Sequence, residues 1–127
     1  HILLSRQLAE RGHYPAIDVL GSVSRVANDV TLRDHQSARR EVVKLMSAYR
    51  QVEDLLNIGA YAQGSNLDFD LAIACKPSID ALIQQGRGEV QGVADFGRTK
   101  AQLLAVAQQI EQTRMKLAQQ GKRPAAR

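Results

Sequence analysis

The sequence predicts an all-α fold, an antiparallel bundle of about five helices in a single domain. Three observations support this prediction. Aromatic residues make up 4% of the 127 residues against an apolar fraction of 44%, which suits helices packed through aliphatic side chains better than a β-sandwich. Apolar residues recur at steps of three and four over residues 42–56, the spacing of one helix face. Clusters of glycine and proline separate the helical stretches.

The N-terminal stretch, HILLSRQLAER, opens with apolar residues and continues with helix formers. It predicts the end of a strand that runs into a short helix, which Gly12 stops. Residues 13–22 are predicted to form a loop, because Pro15 lacks a backbone donor and biases the residue before it toward extended geometry.

Two capping residues predict the next two helix starts. Ser22 can cap a short helix through about Asn28. Thr31 can cap a long helix, with Asp34 three residues later as the second half of a weak capping box. The long helix is predicted from a continuous apolar stripe. Its members are Val42, Leu45, Met46, Tyr49, Val52, Leu55 and Leu56.

A helical hairpin is predicted to follow. Two glycines interrupt the chain around residues 60–66, AYAQGSN. Ser65 or Asn66 can then cap a helix over about residues 67–85. Pro77 lies inside this helix, so the helix is predicted to be kinked there or split in two.

The sequence after residue 85 predicts a loop, a helix and a basic tail. Residues 86–92 contain three glycines and read as a loop, and a final helix is expected from about Val93. Residues 121–127 have no apolar period and are predicted to be a disordered tail. The net charge of +4 belongs to this end of the chain: residues 1–110 carry 12 basic and 12 acidic side chains, and residues 111–127 carry five and one.

Isolated reactive side chains give little support to a metal or nucleophilic site. The lone Cys75 excludes a disulfide framework and a thiolate cluster, and is predicted to be a buried structural thiol. The three histidines share no i, i+4 spacing and are predicted to be ordinary surface or loop residues. Asp68 and Asp70 point different ways on a helix, so Asp68 is expected to favour the helix N-terminus rather than to form an acid–base pair.

Residues 12–26, GHYPAIDVLGSVSRV, form the most site-like segment. Tyr14, held by the stiff Pro15, offers a flat apolar face that suits stacking on a purine ring. Arg25 follows Ser24 near the start of the predicted short helix, and a guanidinium there can reach a triphosphate in a neighbouring subunit, as arginine fingers do. A structural salt bridge is the alternative role for Arg25.

Two long motifs carry a family resemblance. The run HILLSRQLAERGHYPAIDVLGSVSRV resembles the stretch after the Walker B region in the ATPases of flagellar and virulence type III secretion, and is similar to rotary ATP synthase subunits. The run YRQVEDLLNIGAYAQGSNLDFDLAI resembles the next helical hairpin of that family. Its residues GAY and GSN are more similar to the flagellar member than to the injectisome member. The resemblance covers about residues 1–86, and residues 87–127 match only by helical pattern and position.

The resemblance implies the C-terminal region of a hexameric P-loop ATPase that energises flagellar export or, as an alternative, a virulence injectisome. Residues 1–30 would be the C-terminal edge of the nucleotide-binding domain, residues 31–120 the helical domain and residues 121–127 the basic tail. Tyr14 would stack on adenine. Arg25 would be the arginine finger that a subunit inserts into its neighbour's site.

The resemblance also implies ligands and partners. The hairpin would contact a central stalk through Tyr61, Gln63, Ser65, Asn66, Asp68 and Asp70. The loop at 86–96 would lie at the second wall of the adenine pocket. ATP and Mg²⁺ are expected in the full-length parent and neither on this chain, which lacks a P-loop, a Walker B Asp and a catalytic Glu, so we expect no ATP hydrolysis by this chain alone.

The further expected partners are copies of the same chain in a homohexamer, a peripheral stalk or regulator, export chaperones, cargo and an export gate. No nucleic acid and no membrane span are expected, since no run of about 18 apolar residues occurs. With no visible signal peptide and a first residue that is not Met, the chain reads as a piece of a cytoplasmic bacterial protein at the inner-membrane face of an export apparatus.

Two other classes of protein are alternatives to the export ATPase. A stand-alone helical adaptor would form a closed bundle from residue 1, whereas a piece of the ATPase would leave HILL exposed as an orphan strand or a disordered end. A nucleic-acid module would use the basic tail and bind with steep salt dependence.

Overall fold

The fold is helical, with a small antiparallel sheet near its start. The computed structural model describes residues 1–86 and 95–122. Its elements are the strand β1 (Leu3–Leu4), the helix α1 (Arg6–Glu10), the strand β2 (Ile17–Asp18) and the helices α2 (Arg33–Asn57), α3 (Leu67–Ile83) and α4 (Phe96–Gly121). The predicted helical fold with a short N-terminal strand is confirmed. Four helices occur in the described ranges, where about five were predicted.

The helix predicted after Ser22 is the missing one. The Ser22 hydroxyl donates to the Asp18 carbonyl and accepts the Leu3 N–H at 3.0 Å, so it does not cap a helix. The Val23 N–H donates to the His1 carbonyl at 2.9 Å. Because contacts with the strand segment satisfy these groups, residues 22–31 remain a series of turns and bends.

The long helix α2 forms as the apolar stripe predicts, but its start differs. Leu32 is the N-cap and offers no side-chain cap, while the Thr31 hydroxyl donates back to the Ala27 carbonyl. The predicted capping box is therefore wrong. Among the stripe residues, Val42, Leu45 and Val52 are buried, Met46, Tyr49 and Leu56 are half-buried, and Leu55 is exposed.

The helix α3 is capped by Asn66, whose side-chain oxygen accepts the Phe69 N–H at 3.2 Å, one of the two caps predicted. The helix continues through Pro77 to Ile83, so the predicted split does not occur. An internal proline removes one hydrogen bond to the preceding turn, and burial of the neighbouring Cys75 and Ile79 compensates for this loss.

The helix α4 starts at Phe96, where the Asp95 side chain accepts the Gly97 N–H at 2.9 Å. It extends to Gly121, the first residue of the predicted tail. Residues 123–127 and the predicted start near Val93 lie outside the described residues. Lys100 pairs with Asp34 at 3.2 Å and Arg114 with Glu41 at 2.6 Å. α4 therefore runs in the same direction as α2, and α3 runs opposite to both.

The three long helices pack against one another around one apolar core. Its buried members are Val42, Leu45, Leu71, Ala72, Cys75, Ile79 and Ile110. The predicted burial of the Cys75 thiol is confirmed, and this burial raises the pKa of the thiol. Within residues 1–86 and 95–122, no helix has the length and apolar character that a bilayer crossing requires.

Candidate functional site

The N-terminal segment, residues 1–31, lies against one side of the bundle. β1 pairs with β2, with Leu3 opposite Asp18 and Leu4 opposite Ile17. Leu4 remains 78% exposed, and Ile2 beside it is exposed as well. The side chains of this strand are exposed, as expected for a piece of the ATPase, but the strand pairs with β2 and is therefore not the orphan strand or disordered end that was predicted.

Two ion pairs tie this segment to α2. Arg11 contacts Glu53 at 2.6 Å, and Arg50 contacts Asp18 at 3.0 Å. The Gly21 N–H, and after it the Arg50 guanidinium, lower the pKa of the Asp18 carboxyl. The segment is thus joined to the bundle by charge as well as by chain continuity.

A cavity of about 450 Å³ lies between this segment and the helices α2 and α3. Three ion pairs line it: Arg11–Glu53, Arg50–Asp18 and Lys76–Asp80, the last with the Lys76 ammonium also 5.0 Å from the Tyr49 ring centre. Each charge on its wall therefore has an opposite partner within the chain. The cavity has no uncompensated charge with which to select an ionic ligand.

Tyr14 has a fixed backbone and a free ring. Its carbonyl accepts the Gln85 N–H at 2.8 Å, beyond the end of α3. Next to it, His13 is only 8% exposed, and its Nδ1 accepts from Gln84 Nε2 at 2.9 Å. Of the two roles predicted for the histidines, surface or loop, His13 has the loop position but is buried, and it anchors the loop. The Tyr14 side chain is 56% exposed, so its face is open for stacking.

Arg25 lies in the middle of the turns between β2 and α2. Its side chain is exposed and has no hydrogen bond or ion pair to the described residues. The alternative of a structural salt bridge therefore receives no support within residues 1–86 and 95–122. As far as residues 1–86 and 95–122 are concerned, the guanidinium is available to an anion of another chain or a ligand.

The turn between α2 and α3 has an internal framework. The Tyr61 hydroxyl donates to Asp70 Oδ1 at 2.7 Å, and the Gly64 N–H donates to Asp70 Oδ2 at 2.9 Å. The Tyr61 ring meets Phe69 edge-on at 6.2 Å. Desolvation and, after it, the bond to Asp70 raise the pKa of the Tyr61 hydroxyl. These residues shape the turn.

The other predicted hairpin residues divide by role. Ser65 donates to the Ala62 carbonyl at 2.6 Å, and Asn66 caps α3. Gln63 and Asp68 are exposed, with Asp68 in the first turn of α3 as expected from the helix dipole. Exposed apolar side chains flank them. These are Leu55, Ile58 and Leu67, of which Ile58 is 75% exposed.

The structure brings together residues that no sequence pattern marked. Gln36 and Arg39 on α2 contact Asn28, and Gln84 contacts His13 over a separation of 71 residues. Such polar contacts between separate elements leave no periodic signal in one sequence.

No group of three or more His, Cys, Asp or Glu in the described part of the chain could hold a metal ion. Most of the predicted second wall of the adenine pocket, residues 87–94, lies outside the described residues.

The comparisons with known proteins agree with each other. A family described as the T3SS EscN ATPase C-terminal domain matches residues 31–105. A type 3 secretion system ATPase of Pseudomonas syringae pv. tomato is 51% identical over 85 residues, which are 67% of this chain and 19% of that protein. A flagellum-specific ATP synthase of Treponema pallidum is 49% identical over 89 residues, 70% of this chain and 20% of that protein.

Solved structures show the same similarity. The assembled ATPase EscN of the enteropathogenic E. coli type III secretion system matches with a TM-score of 0.77 and 37% identity, covering 84% of this chain and 25% of that chain. A prototypical type III secretion ATPase from pathogenic bacteria matches with a TM-score of 0.69 and 36% identity, covering 84% and 30%. The matched part of this chain thus spans about a fifth of the length of the two curated relatives.

Proposed function

Because this chain belongs to the family of type III secretion ATPase C-terminal domains, we propose that it is the helical end of an ATPase that drives protein export. The exporting system is a flagellum or a virulence injectisome. Relatives of both kinds match at 51% and 49% identity, so the proposal covers the activity that they share. Such an ATPase works in the cytoplasm, as a homohexamer at the inner-membrane face of the export apparatus.

The exposed Tyr14 and Arg25 on anchored backbone are the observation that supports a nucleotide role. Tyr14 stacks on the adenine bound by its own subunit, and an aromatic pair of this kind contributes about 0.5–1.5 kcal/mol. Arg25 reaches into the neighbouring subunit and stabilises the charge on the transferring phosphoryl group. A guanidinium in this role raises the rate by about 10³- to 10⁵-fold.

This chain supplies only part of an ATP site. Its sequence contains no GxxxxGK[ST] motif, the motif that cradles phosphates and holds Mg²⁺ in P-loop ATPases. We therefore assign this chain two tasks, adenine stacking and charge stabilisation across a subunit boundary, and we expect no ATP turnover from it alone.

The α2–α3 turn is the proposed contact for a central stalk. Its framework of Tyr61, Gly64 and Asp70 holds the backbone in one shape. The exposed Ile58 and the polar Gln63 and Asp68 around it give the mixed apolar and polar character of a protein interface. The peripheral stalk or regulator, chaperones, cargo and export gate are expected partners of the same ATPase.

The test is Arg25→Ala and Arg25→Lys in the full-length hexameric ATPase, with ATP hydrolysis and nucleotide binding measured separately. We expect kcat to fall by about 10³-fold or more while nucleotide binding persists, and Lys to restore little because it lacks the planar fork. The control is Arg98→Ala, an exposed arginine on α4. An unchanged kcat in Arg25→Ala would overturn the proposed role.

A further inference from the structure

We infer that Gln36 and Arg39, near the start of α2, are positioning residues for Arg25. This inference rests on the proposed function of Arg25 and deepens it. Neither residue belongs to the segment that carries Arg25. Both act on that segment through Asn28, three residues after Arg25, by side-chain hydrogen bonds that cross from the helix to the turns.

Gln36 and Arg39 make three hydrogen bonds to these turns. Gln36 Nε2 donates to the Asn28 carbonyl at 2.9 Å and to the Thr31 carbonyl at 2.7 Å. Arg39 Nη2 donates to the Asn28 side-chain oxygen at 2.7 Å. Asn28 is therefore held twice, by its backbone and by its side chain, on one face of α2.

Other hydrogen bonds of residues 26–31 lie within the turns themselves: the Asp29 and Val30 N–H groups donate to the Val26 carbonyl, and the Thr31 hydroxyl donates to the Ala27 carbonyl. Val23, Val26 and Val30 are exposed, so apolar burial contributes little to the placement of the segment. The segment is joined to β1 through Ser22 and Val23. Arg25 lies between these two attachments, and three residues span at most about 11 Å. Loss of these side-chain bonds would release Asn28 from the face of α2 and leave the Arg25 backbone placed by the contacts of Ser22 and Val23 and by chain continuity into α2.

The position of a charge-stabilising group matters for catalysis more than for binding. A displacement of about 1 Å can cost about 100-fold in rate. Gln36 and Arg39 contact the turns and not the nucleotide, so their loss should lower kcat and leave KM for ATP nearly unchanged. The Arg39 guanidinium is engaged by the Asn28 side chain and therefore acts as an anchor.

The experiment uses the full-length hexamer with Gln36→Ala, Arg39→Met and Arg39→Lys. Arg39→Met keeps the apolar stem and removes the donor, whereas Arg39→Lys keeps one donor for Asn28. We expect kcat to fall by about 10-fold or more in Gln36→Ala and Arg39→Met, with KM changed by less than about two-fold, and a partial recovery in Arg39→Lys.

Matched controls come from the same helix. Arg40 is exposed and bonds only to Ser37 among the described residues, at 3.2 Å, so Arg40→Met removes an arginine without touching the turns. Gln51→Ala removes an exposed glutamine further along α2. Both controls should retain the parental kcat. Equal losses in Arg39→Met and Arg40→Met would overturn the inference.

A double-substitution test separates this inference from the proposed function. In the Arg25→Ala background, Gln36→Ala should cause no further loss of kcat, because it acts through Arg25. The same factor in both backgrounds would show that Gln36 acts on something else and would overturn the inference. If Arg25→Ala itself left kcat unchanged, the proposed catalytic role of Arg25 would be overturned, and the positioning role with it. A loss with Arg25→Ala but not with Gln36→Ala or Arg39→Met would overturn the positioning role alone.

Discussion

The guanidinium of Arg50 on α2 lies 3.0 Å from the Asp18 carboxylate on β2. The same carboxylate oxygen accepts the Gly21 N–H at 3.0 Å, so one atom joins the N-terminal sheet, the following turn and the helical bundle. This contact fixes how the segment with Tyr14 and Arg25 meets the bundle, and it gives the first prediction.

Asp18→Asn should destabilise the chain at pH 7 by about 1 kcal/mol, as expected for a partly exposed ion pair. The pKa of Asp18 is lowered from its ordinary value of 3.8 in the folded chain. Its contribution is therefore fully present above that value and is lost as the pH falls below it. Urea unfolding of the parent and of Asp18→Asn at pH 7 and pH 3 measures the difference in their free energies of unfolding. The difference from the parent should shrink at pH 3, and the exposed Asp29→Asn is the control; a difference that does not change with pH would contradict the prediction.

Tyr14→Ala in the full-length ATPase should raise KM for ATP by about two- to ten-fold, the loss expected for one aromatic stacking contact. Tyr14→Phe keeps the ring and should behave as the parent, since the Tyr14 anchor is a backbone carbonyl that both variants retain. Steady-state kinetics with ATP give the result. Equal KM values for the Ala and Phe variants would argue against stacking.

Asp70→Ala should loosen the α2–α3 turn. The Gly64 N–H loses its acceptor, and the Tyr61 hydroxyl loses one of its two, so hydrogen exchange at Gly64 should accelerate by about ten-fold, the equivalent of about 1.4 kcal/mol. Asp68→Ala, two residues earlier and exposed, should leave Gly64 exchange unchanged. Similar exchange at Gly64 in both variants would mean that the carboxylate of Asp70 does not hold the turn.

Ile110→Ala should destabilise the bundle by about 2–5 kcal/mol, the usual cost of emptying a buried aliphatic site. Ile110 is the buried residue through which α4 enters the core. Met115→Ala on the same helix, where the side chain is 57% exposed, should change stability by less than about 1 kcal/mol. Chemical denaturation of both variants compares them directly.

Local patterns predicted the helices well where one face is buried. The stripe from Val42 to Leu56 and the cap at Asn66 each rest on spacing or chemistry within a few residues, and the structure has both. The helix expected after Ser22 does not form, because the backbone there is held by partners that are distant in sequence. Ser22 and Val23 bond to Leu3 and His1, about 20 residues earlier, and no local rule contains that partner.

The candidate site shows the same division. The side-chain chemistry of Tyr14 and Arg25 predicts a nucleotide role for both residues. Substitution of each residue in the full-length ATPase tests this prediction. The groups that hold the two residues are the backbone N–H of Gln85, just beyond α3, for Tyr14, and the Gln36 side chain on α2 for the turns after Arg25. Glutamine at a helix end or on a helix face has no distinctive pattern, so only the three-dimensional arrangement identifies these contacts.

The opposite directions of α2 and α3 have a mechanical consequence. The start of α2 and the end of α3 lie at one end of the bundle, where Asn28 and Tyr14 attach, and the α2–α3 turn lies at the other. The 25 residues of α2 separate these ends by about 37 Å at 1.5 Å per residue. Residues 1–31 follow much of this length, because Asn28 attaches to Gln36 near the start of α2 and Arg11 to Glu53 near its end. Under the proposed function, a partner that tilts α2 from the α2–α3 turn would therefore move Tyr14 and Arg25 with the helix, and with them parts of two neighbouring ATP sites.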